Sequence, residues 1–567
     1  MVIDWDVAIP MDDGLELRAD VFRPDEGEHP VILSHGPYGK GLAFQEGYPD
    51  QWEIMVREHP EVARGTSNRF QNWEVVDPER WVPDGYTCVR VDSRGTGRSP
   101  GRLDPFSPRE TRDLYECVEW AGTAPWSSGR IGLAGISYYA INQWHVAALQ
   151  PPHLAAICPW EGAADWYRDM THHGGIVSTF WANWFDKQVL GVQHGFGDRG
   201  AVNPNTGELV AGPETLSENE LAASRCDLGG EILDHPLADA YHRERSPDWS
   251  KVTVPLLSAA NWGGQGLHAR GNFEGFVRAA SRDKWLEVHG LEHWTEFYTD
   301  YGVDLQKRFF ARFLKGEGVG WRDQPRVQLQ VRRLDGFEQR AEREWPLART
   351  RWMRLHLDPA GMVLRPEPVA GEGSVAYEAA GDGVTFATAP LEAETEITGP
   401  SSAKLFLSSS TDAADLFLVL RVVDPGGEEV VFQGALDPHT PVAQGWLRAS
   451  HRRLDLELST EYGPYHAHKV AEALEPGRVY ELDVELWPTC VVVPAGHRIA
   501  LTVRGRDYEH AGGGAHLGSF KNEMRGCGPF LHDDPRDRPA GLCESKQTLH
   551  FGPDTPTALL LPEIPKA

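Results

Sequence analysis

Residues 131–150, IGLAGISYYAINQWHVAALQ, hold the side chain with the strongest claim to chemistry. An apolar run suited to a strand ends in Gly135-Ile136-Ser137-Tyr138-Tyr139-Ala140, and a helix-forming stretch follows. A serine on so sharp a strand-to-helix turn has its hydroxyl pushed into the cleft above the sheet. The N–H of the next residue, Tyr138, stays free to stabilise an oxyanion, and the helix N-terminus adds a favourable dipole. Strand and helix approach closely at such a turn, so small neighbours are needed. Gly135 and Ala140 meet that need, while Tyr139 stands where the general G-x-S-x-G elbow has its second glycine. A serine hydroxyl also needs a base. The best-placed histidine lies in His289-Gly290-Leu291-Glu292-His293-Trp294. His289 belongs to the end of an apolar run and His293 to the loop beyond it, which makes His293 the expected base.

Six short apolar runs must position these groups: VILSHG (31–36), TCVRVD (87–92), IGLAGI (131–136), LAAICPW (154–160), VPLLSAA (254–260) and KWLEVHG (284–290). Runs of this kind suit strands buried on both faces of a mainly parallel sheet. Between two of them, Ser107-Pro108-Arg109-Glu110 reads as an N-cap serine, a proline at the first helical position and a capping-box glutamate. Leu114, Cys117, Val118 and Ala121 then fall on one helical face. Strand, helix, strand in that order gives right-handed crossovers and an α/β domain, and serine before histidine is the α/β-hydrolase chain order. Residues 165–250 break the rhythm with Trp, His, Gly and Asp and a second S-x-x-E signal at Ser217 to Glu220. An insertion there should cap the carboxyl ends of the strands, where ligands bind.

Near residue 320 the period switches to two. Tyr480, Leu482, Val484 and Leu486 alternate with acidic residues, Ile499, Leu501 and Val503 repeat the pattern, and 416–432 reads as two strands around Asp424-Pro425-Gly426-Gly427. Many short strands without helices indicate a β-sandwich. The expected organisation is an α/β-hydrolase core over 1–164 and 251–320, a mostly helical cap over 165–250, and an all-β jelly-roll sandwich over 321–567.

The 567 residues are too many for one core, and 41% hydrophobic with 24% charged residues is a soluble globular composition. Lys and Arg number 55 against 83 Asp and Glu, a net charge of −28. Such a surface keeps a protein in solution and repels phosphate backbones, so no nucleic-acid partner is expected. No stretch approaches the roughly 18 consecutive apolar residues of a membrane helix, so no membrane association is expected. The opening MVIDWDVAIPMDDG lacks the basic and apolar regions of a secretory signal. Cys88, Cys117, Cys158, Cys226, Cys490, Cys527 and Cys543 are odd in number and widely spaced, with no C-x-x-C, which suits a reducing compartment. The cytoplasm is the expected address, and a homo-oligomer stays open.

These motifs resemble those of the CocE/NonD hydrolases, a group that includes cocaine esterase, α-amino acid ester hydrolases and X-prolyl dipeptidyl-peptidases. DGLELRADVFRP (13–24) resembles the family's opening hairpin, GPYGK (36–40) its Pro-Tyr turn, and DSRGTGRSPG (92–101) the loop before the first long helix. GISYYA resembles its G-x-S-Y-x-G elbow, with Ala140 for the last glycine; PFLHDDPRDRP (529–539) and TALLLPEIP (557–565) resemble its C-terminal half. The resemblance implies Ser137 as nucleophile, His293 as base, and an oxyanion hole made of the Tyr138 N–H and the Tyr38 hydroxyl. The third triad member departs from the pattern. Where the family has an aspartate after the next-to-last strand, this chain reads Asn261-Trp262-Gly263-Gly264-Gln265-Gly266. Glu161 and Asp165, after the preceding strand, are the available acids; Glu161 is the choice, with Asp165 and the amide of Asn261 as alternatives.

Other features are weaker. Gly95-Thr96-Gly97 fails as a dinucleotide loop because Pro100, Pro105 and Pro108 keep a helix from opening directly after it. His172-His173 with Asp169 lacks a third ligand at metal spacing. The twenty tryptophans are expected mostly as packing, with a few among Trp166 and those of 179–185 as candidates to line an acyl pocket. The expected protein is a serine hydrolase acting on a small ester or amide through an acyl-enzyme, with no cofactor and no metal. Two alternatives are an X-Pro dipeptidyl-peptidase, which needs acidic residues around a free α-amino group, and a non-catalytic carbohydrate-binding protein.

Overall fold

All six buried runs of the N-terminal half are strands in the computed structural model, which describes residues 1–318 and 320–566. An opening hairpin, β1 (Val2–Pro10) and β2 (Glu16–Arg23), leads into β3 (His29–Gly36), β4 (Thr87–Asp92), α1 (Pro108–Thr123), β5 (Ser127–Ile136), α2 (Tyr138–Leu149) and β6 (Leu154–Trp160). After the insertion come β7 (Leu256–Asn261), α3 (His268–Arg278), β8 (Lys284–His289) and α4 (Asp300–Phe310). The sheet order is β1-β2-β4-β3-β5-β6-β7-β8, parallel from β4 onward. Register pairs Ile136 with Trp160 across β5 and β6, and Asn261 with His289 across β7 and β8. Ser137, Glu161, Asn261 and His289 therefore stand together at the carboxyl edge, where an open α/β sheet binds its ligands.

The helices cover this sheet as their patterns require. Leu114, Cys117, Val118 and Ala121 of α1 and Val146 and Ala147 of α2 pack in one core with Val31, Leu33, Val89, Val91, Ile131 and Leu133. Ser107 caps α1 by accepting from the Glu110 N–H at 3.2 Å. Only half of the expected capping box forms, because the Glu110 carboxylate accepts instead from the Phe106 N–H and from the Tyr138 hydroxyl, both at 2.6 Å. The second S-x-x-E site is a full box, with the Ser217 and Glu220 side chains each bonded to the other's backbone. The insertion consists of short pieces: a π-helical turn (Trp166–Thr171), a two-stranded ribbon (172–177) and helices over Phe180–Trp184, Glu218–Ala223, Leu228–Asp234 and Ala240–Glu244.

The first sheet does not stop at 320. β9 (Val327–Arg333) pairs parallel to β8, and β10 (Gly336–Glu342) closes the edge as a hairpin. Period-two alternation marks both as strands but is blind to which sheet they join. Leu329 and Val331 settle that by packing with Val288 and Trp262. From Arg351 on, all strands belong to a second, twelve-stranded sheet with its own core, built on long antiparallel strands at Thr395–Ser409, Asp415–Val423 and Tyr480–Val493. The chain is thus a hydrolase-type α/β domain followed by a C-terminal all-β domain. Among the described residues, no helix is long and apolar enough to cross a membrane.

The two halves share a core in which Trp262, Val288 and Leu329 meet Trp345, Cys490, Val492 and Ile564. Arg332 crosses this seam, donating to the carbonyls of Cys490 (2.8 Å) and Val442 (3.1 Å) and to the Thr489 hydroxyl (3.0 Å). Among the described residues no carboxylate pairs with it, and burial pulls its guanidinium down to about 10. Arg332→Ala should remove a donor from the buried Cys490 carbonyl and Thr489 hydroxyl, leaving the Val442 carbonyl only its bond from Thr489 (2.7 Å), and cost about 2–4 kcal/mol. Calorimetry should show the all-β half melting apart from the α/β half in this variant; an unchanged single transition would mean that the arginine does not couple them.

Candidate active site

Ser137 occupies a strained left-handed backbone position, φ +55° and ψ −114°, between β5 and α2. Its N–H donates to the Trp160 carbonyl at 3.1 Å, and its carbonyl accepts from Ala140 and Ile141 at 2.8 Å, so both neighbours of the turn hold the strain. Tyr139 is tolerated in place of the elbow's second glycine because its ring lies over Gly36 of β3, where an added Cβ would come within 2.7 Å of it. The space that the elbow lacks has moved to the next strand. Ser137 Oγ stands 3.1 Å from Nε2 of His268, the first residue of α3.

His268 was not among the expected site residues, and it takes the place foreseen for His293. In this arrangement His293 turns both ring nitrogens to carboxylates, Nδ1 to Glu161 (2.9 Å) and Nε2 to Glu74 (2.9 Å), and no hydrogen bond joins it to Ser137. Its loop position could be read from the sequence; the direction of its ring could not, because that depends on Glu74, 219 residues away on a turn at φ +62°. The two imidazoles stack, with centroids 4.3 Å apart and planes at 21°. The C-terminal domain fixes both. The His293 N–H donates to the Ala435 carbonyl (2.8 Å), and Phe530 packs edge-on to His268.

Of the three candidates for the third triad member, Glu161 is the one that reaches His293. Its other oxygen accepts from His289 (2.8 Å) and from the Asn261 amide (3.2 Å). Asn261 also donates to the Leu291 carbonyl (3.0 Å), so it orients the acid and the histidine loop rather than the imidazole itself. Asp165 caps the turn after it, accepting from the Tyr167 and Arg168 N–H groups, and pairs with Arg168 at 2.9 Å. The buried chain Glu287–His289–Glu161–His293–Glu74 alternates acid and base at 2.6–2.9 Å.

Burial opposes charge throughout this chain, and the neighbours decide each outcome. Glu161 is held down at about 2, burial being outweighed by its two imidazoles. His293 rises to about 9 and His289 to about 10, again against burial, through their carboxylates. Burial pushes Glu74 up to about 7 despite His293. His268 goes the other way: burial, then the His293 charge, keep it far below the usual histidine range, so it is neutral. A neutral imidazole facing a serine hydroxyl can accept its proton.

Tyr38 and Tyr138 flank the elbow, with ring centroids 6.2 Å apart. The Tyr38 hydroxyl accepts from Trp184 Nε1 (3.1 Å), and burial raises it well above the usual phenol range, so it keeps its own proton to donate. The Pro-Tyr turn is pinned by Lys40, whose N–H bonds Asp92 (2.5 Å) and whose ammonium meets Asp20 (3.1 Å) and Asp6 (3.2 Å). The Tyr138 N–H opens α2 and has no acceptor within the helix. The Tyr138 ring stacks between Phe106 (4.0 Å) and Trp184 (5.8 Å), in an aromatic wall that also contains Trp166 and Trp181. His173 pairs with His532 (2.7 Å), and Asp169 binds Arg270 (2.8 Å). No sequence pattern marked His268 or Glu74; in the structure His268 opens a helix that has no side-chain cap.

Residues 13–295 match the X-Pro dipeptidyl-peptidase (S15) family, and residues 319–559 match the X-Pro dipeptidyl-peptidase C-terminal non-catalytic domain. Cocaine esterase of Rhodococcus sp. (strain MB1 Bresler) is 24% identical over 647 residues, with 98% of each chain covered. A CocE/NonD family hydrolase from Staphylococcus aureus superimposes with a TM-score of 0.84 at 31% identity, over 100% of this chain and 94% of that one. An α-amino acid ester hydrolase, 17% identical with a TM-score of 0.68 over 99% and 96% of the two chains, shares the fold. Esterase and peptidase relatives together set aside the non-catalytic alternative. The chain belongs to the CocE/NonD family and is a serine hydrolase.

Proposed function

We propose that the protein cleaves a small acyl ester or amide in two steps through an acyl-enzyme on Ser137. The 3.1 Å contact of Ser137 with a neutral imidazole at a strained elbow carries this reading. His268 Nε2 takes the hydroxyl proton as Oγ bonds to the carbonyl carbon, and the oxyanion accepts from the Tyr138 N–H and the Tyr38 hydroxyl. The His268 imidazolium then gives its proton to the leaving group, and a water activated by the same ring releases the acyl group. Glu161 is the carboxylate whose field favours that imidazolium. The short helices of 165–250 act as a cap, and the C-terminal domain, a jelly roll in this reading, closes the other wall. All seven thiols are unpaired, which suits the cytoplasm.

A second assignment of the base rests on the Glu161 contact to His293 Nδ1. A turn of that ring from Glu74 to Ser137 would make Ser137, His293 and Glu161 the triad. The pH profile separates the two, because kcat/KM follows the base of the free enzyme. With His268 as base, kcat/KM should be level by pH 7. With His293, raised to about 9, it should climb until about pH 9. Correspondingly, His268→Gln should cost about 10³-fold or more in kcat, and a nearly active His268→Gln would return the role to His293.

The nucleophile is tested by labelling. A fluorophosphonate should modify the wild-type chain and leave Ser137→Ala untouched; label elsewhere would overturn the assignment. The relatives named as cocaine esterase and X-Pro dipeptidyl-peptidase mark the two substrate classes to compare. Turnover of p-nitrophenyl acetate should exceed that of an Xaa-Pro anilide, and the reverse order would make the protein a peptidase.

A further inference from the structure

We infer that the same cleft holds a site for a divalent transition-metal ion, Zn²⁺ foremost, bound by Glu161, His268 and His293, and that its occupation switches hydrolysis off; only this effect on activity rests on the proposed mechanism. One ligand atom from each of the three residues lies within 4.8 Å of the others, and all three side chains are buried, at 0%, 2% and 2% exposure. Two imidazoles and a carboxylate are a zinc donor set, and they favour such ions over Mg²⁺ or Ca²⁺.

Two further observations point to a ligand. Nδ1 of His268 is buried with no hydrogen-bond partner, and so is Oε2 of Glu74, the carboxylate on the far side of His293. Buried polar atoms ordinarily find partners, so two orphans around one imidazole need an explanation. Glu74 and Glu161 both face His293, and among the described residues no Lys or Arg bonds either of them, so only imidazoles balance these carboxylates.

The donors are held from behind. Glu161 is fixed by His289 and Asn261, and the His293 backbone by Ala435. Supports of this kind orient metal ligands in built sites. An ion entering displaces the proton that His293 shares with Glu161, and that proton leaves to solvent. With His268 drawn to the metal, Ser137 loses its acceptor.

The test uses the whole chain with ZnCl₂ alone. Calorimetric titration should show one ion per chain, thermal unfolding should shift upward with zinc, and esterase turnover should fall more than tenfold and return with a chelator. Ser137→Ala, inactive if the proposed mechanism holds, should still bind one ion, so loss of the catalytic assignment leaves the metal site testable. His268→Gln and Glu161→Gln should each weaken binding at least tenfold; His268→Gln removes one hydrogen bond and carries the test should Glu161→Gln not fold. Absence of stoichiometric binding, or binding undiminished in His268→Gln, would overturn the site.

Discussion

A carboxylate with no exposure at all, Glu161, is the constraint around which the centre is arranged. An ionised carboxylate removed from water costs several kcal/mol unless charge and hydrogen bonds offset it. The offset comes from the ends of neighbouring strands: His289 from β8, Asn261 from β7 and His293 from the loop beyond, with Glu161 itself on a left-handed backbone (φ +48°) after β6. Sheet register brings these ends together. A one-residue slip between β7 and β8 would turn Asn261 or His289 to the opposite face and strand the charge.

The same dependence explains how two domains make one cleft. Backbone bonds run both ways between the α/β half and the loop at 433–440, with Ala435 accepting from His293 and donating to Gly263 (3.0 Å). Asp437 holds that loop by accepting from the Gly526 and Gly528 N–H groups. Phe530 packs against both His268 and Phe180, so a part of the chain more than 250 residues downstream of His268 walls that imidazole. A C-terminal domain of this kind supports the site through backbone contacts and shape, without supplying a reacting group of its own.

The sequence disclosed most of the frame and part of the centre. Strands buried on both faces declare themselves as apolar runs, and the elbow declares itself because only a few residue types fit so tight a turn. Glu161 came into view only through the resemblance, whose usual aspartate position reads Asn261 to Gly266 here, and the sequence left Asp165 and Asn261 open beside it. His268 and Glu74 stayed hidden because their importance lies in where rings and carboxylates point after α3 and the loop at 74 are docked. No spacing rule carries that information. The Glu110 carboxylate was half-read for the same reason: the S-x-x-E pattern fixes the serine bond, whereas the glutamate was free to choose Tyr138 over the cap.

The hairpin of β9 and β10 has a practical consequence for anyone who would transplant the catalytic half. It sits beyond the point at which the sequence texture changes, yet it pairs with β8 and forms the border of the first sheet. A chimera cut at residue 320 would leave the main-chain groups of β8 bare along one side. Such an open border recruits strands from other molecules. A junction placed after Glu342 keeps the native border strand, so β8 stays paired on both sides and the new neighbour has to cover the side chains that face the all-β half.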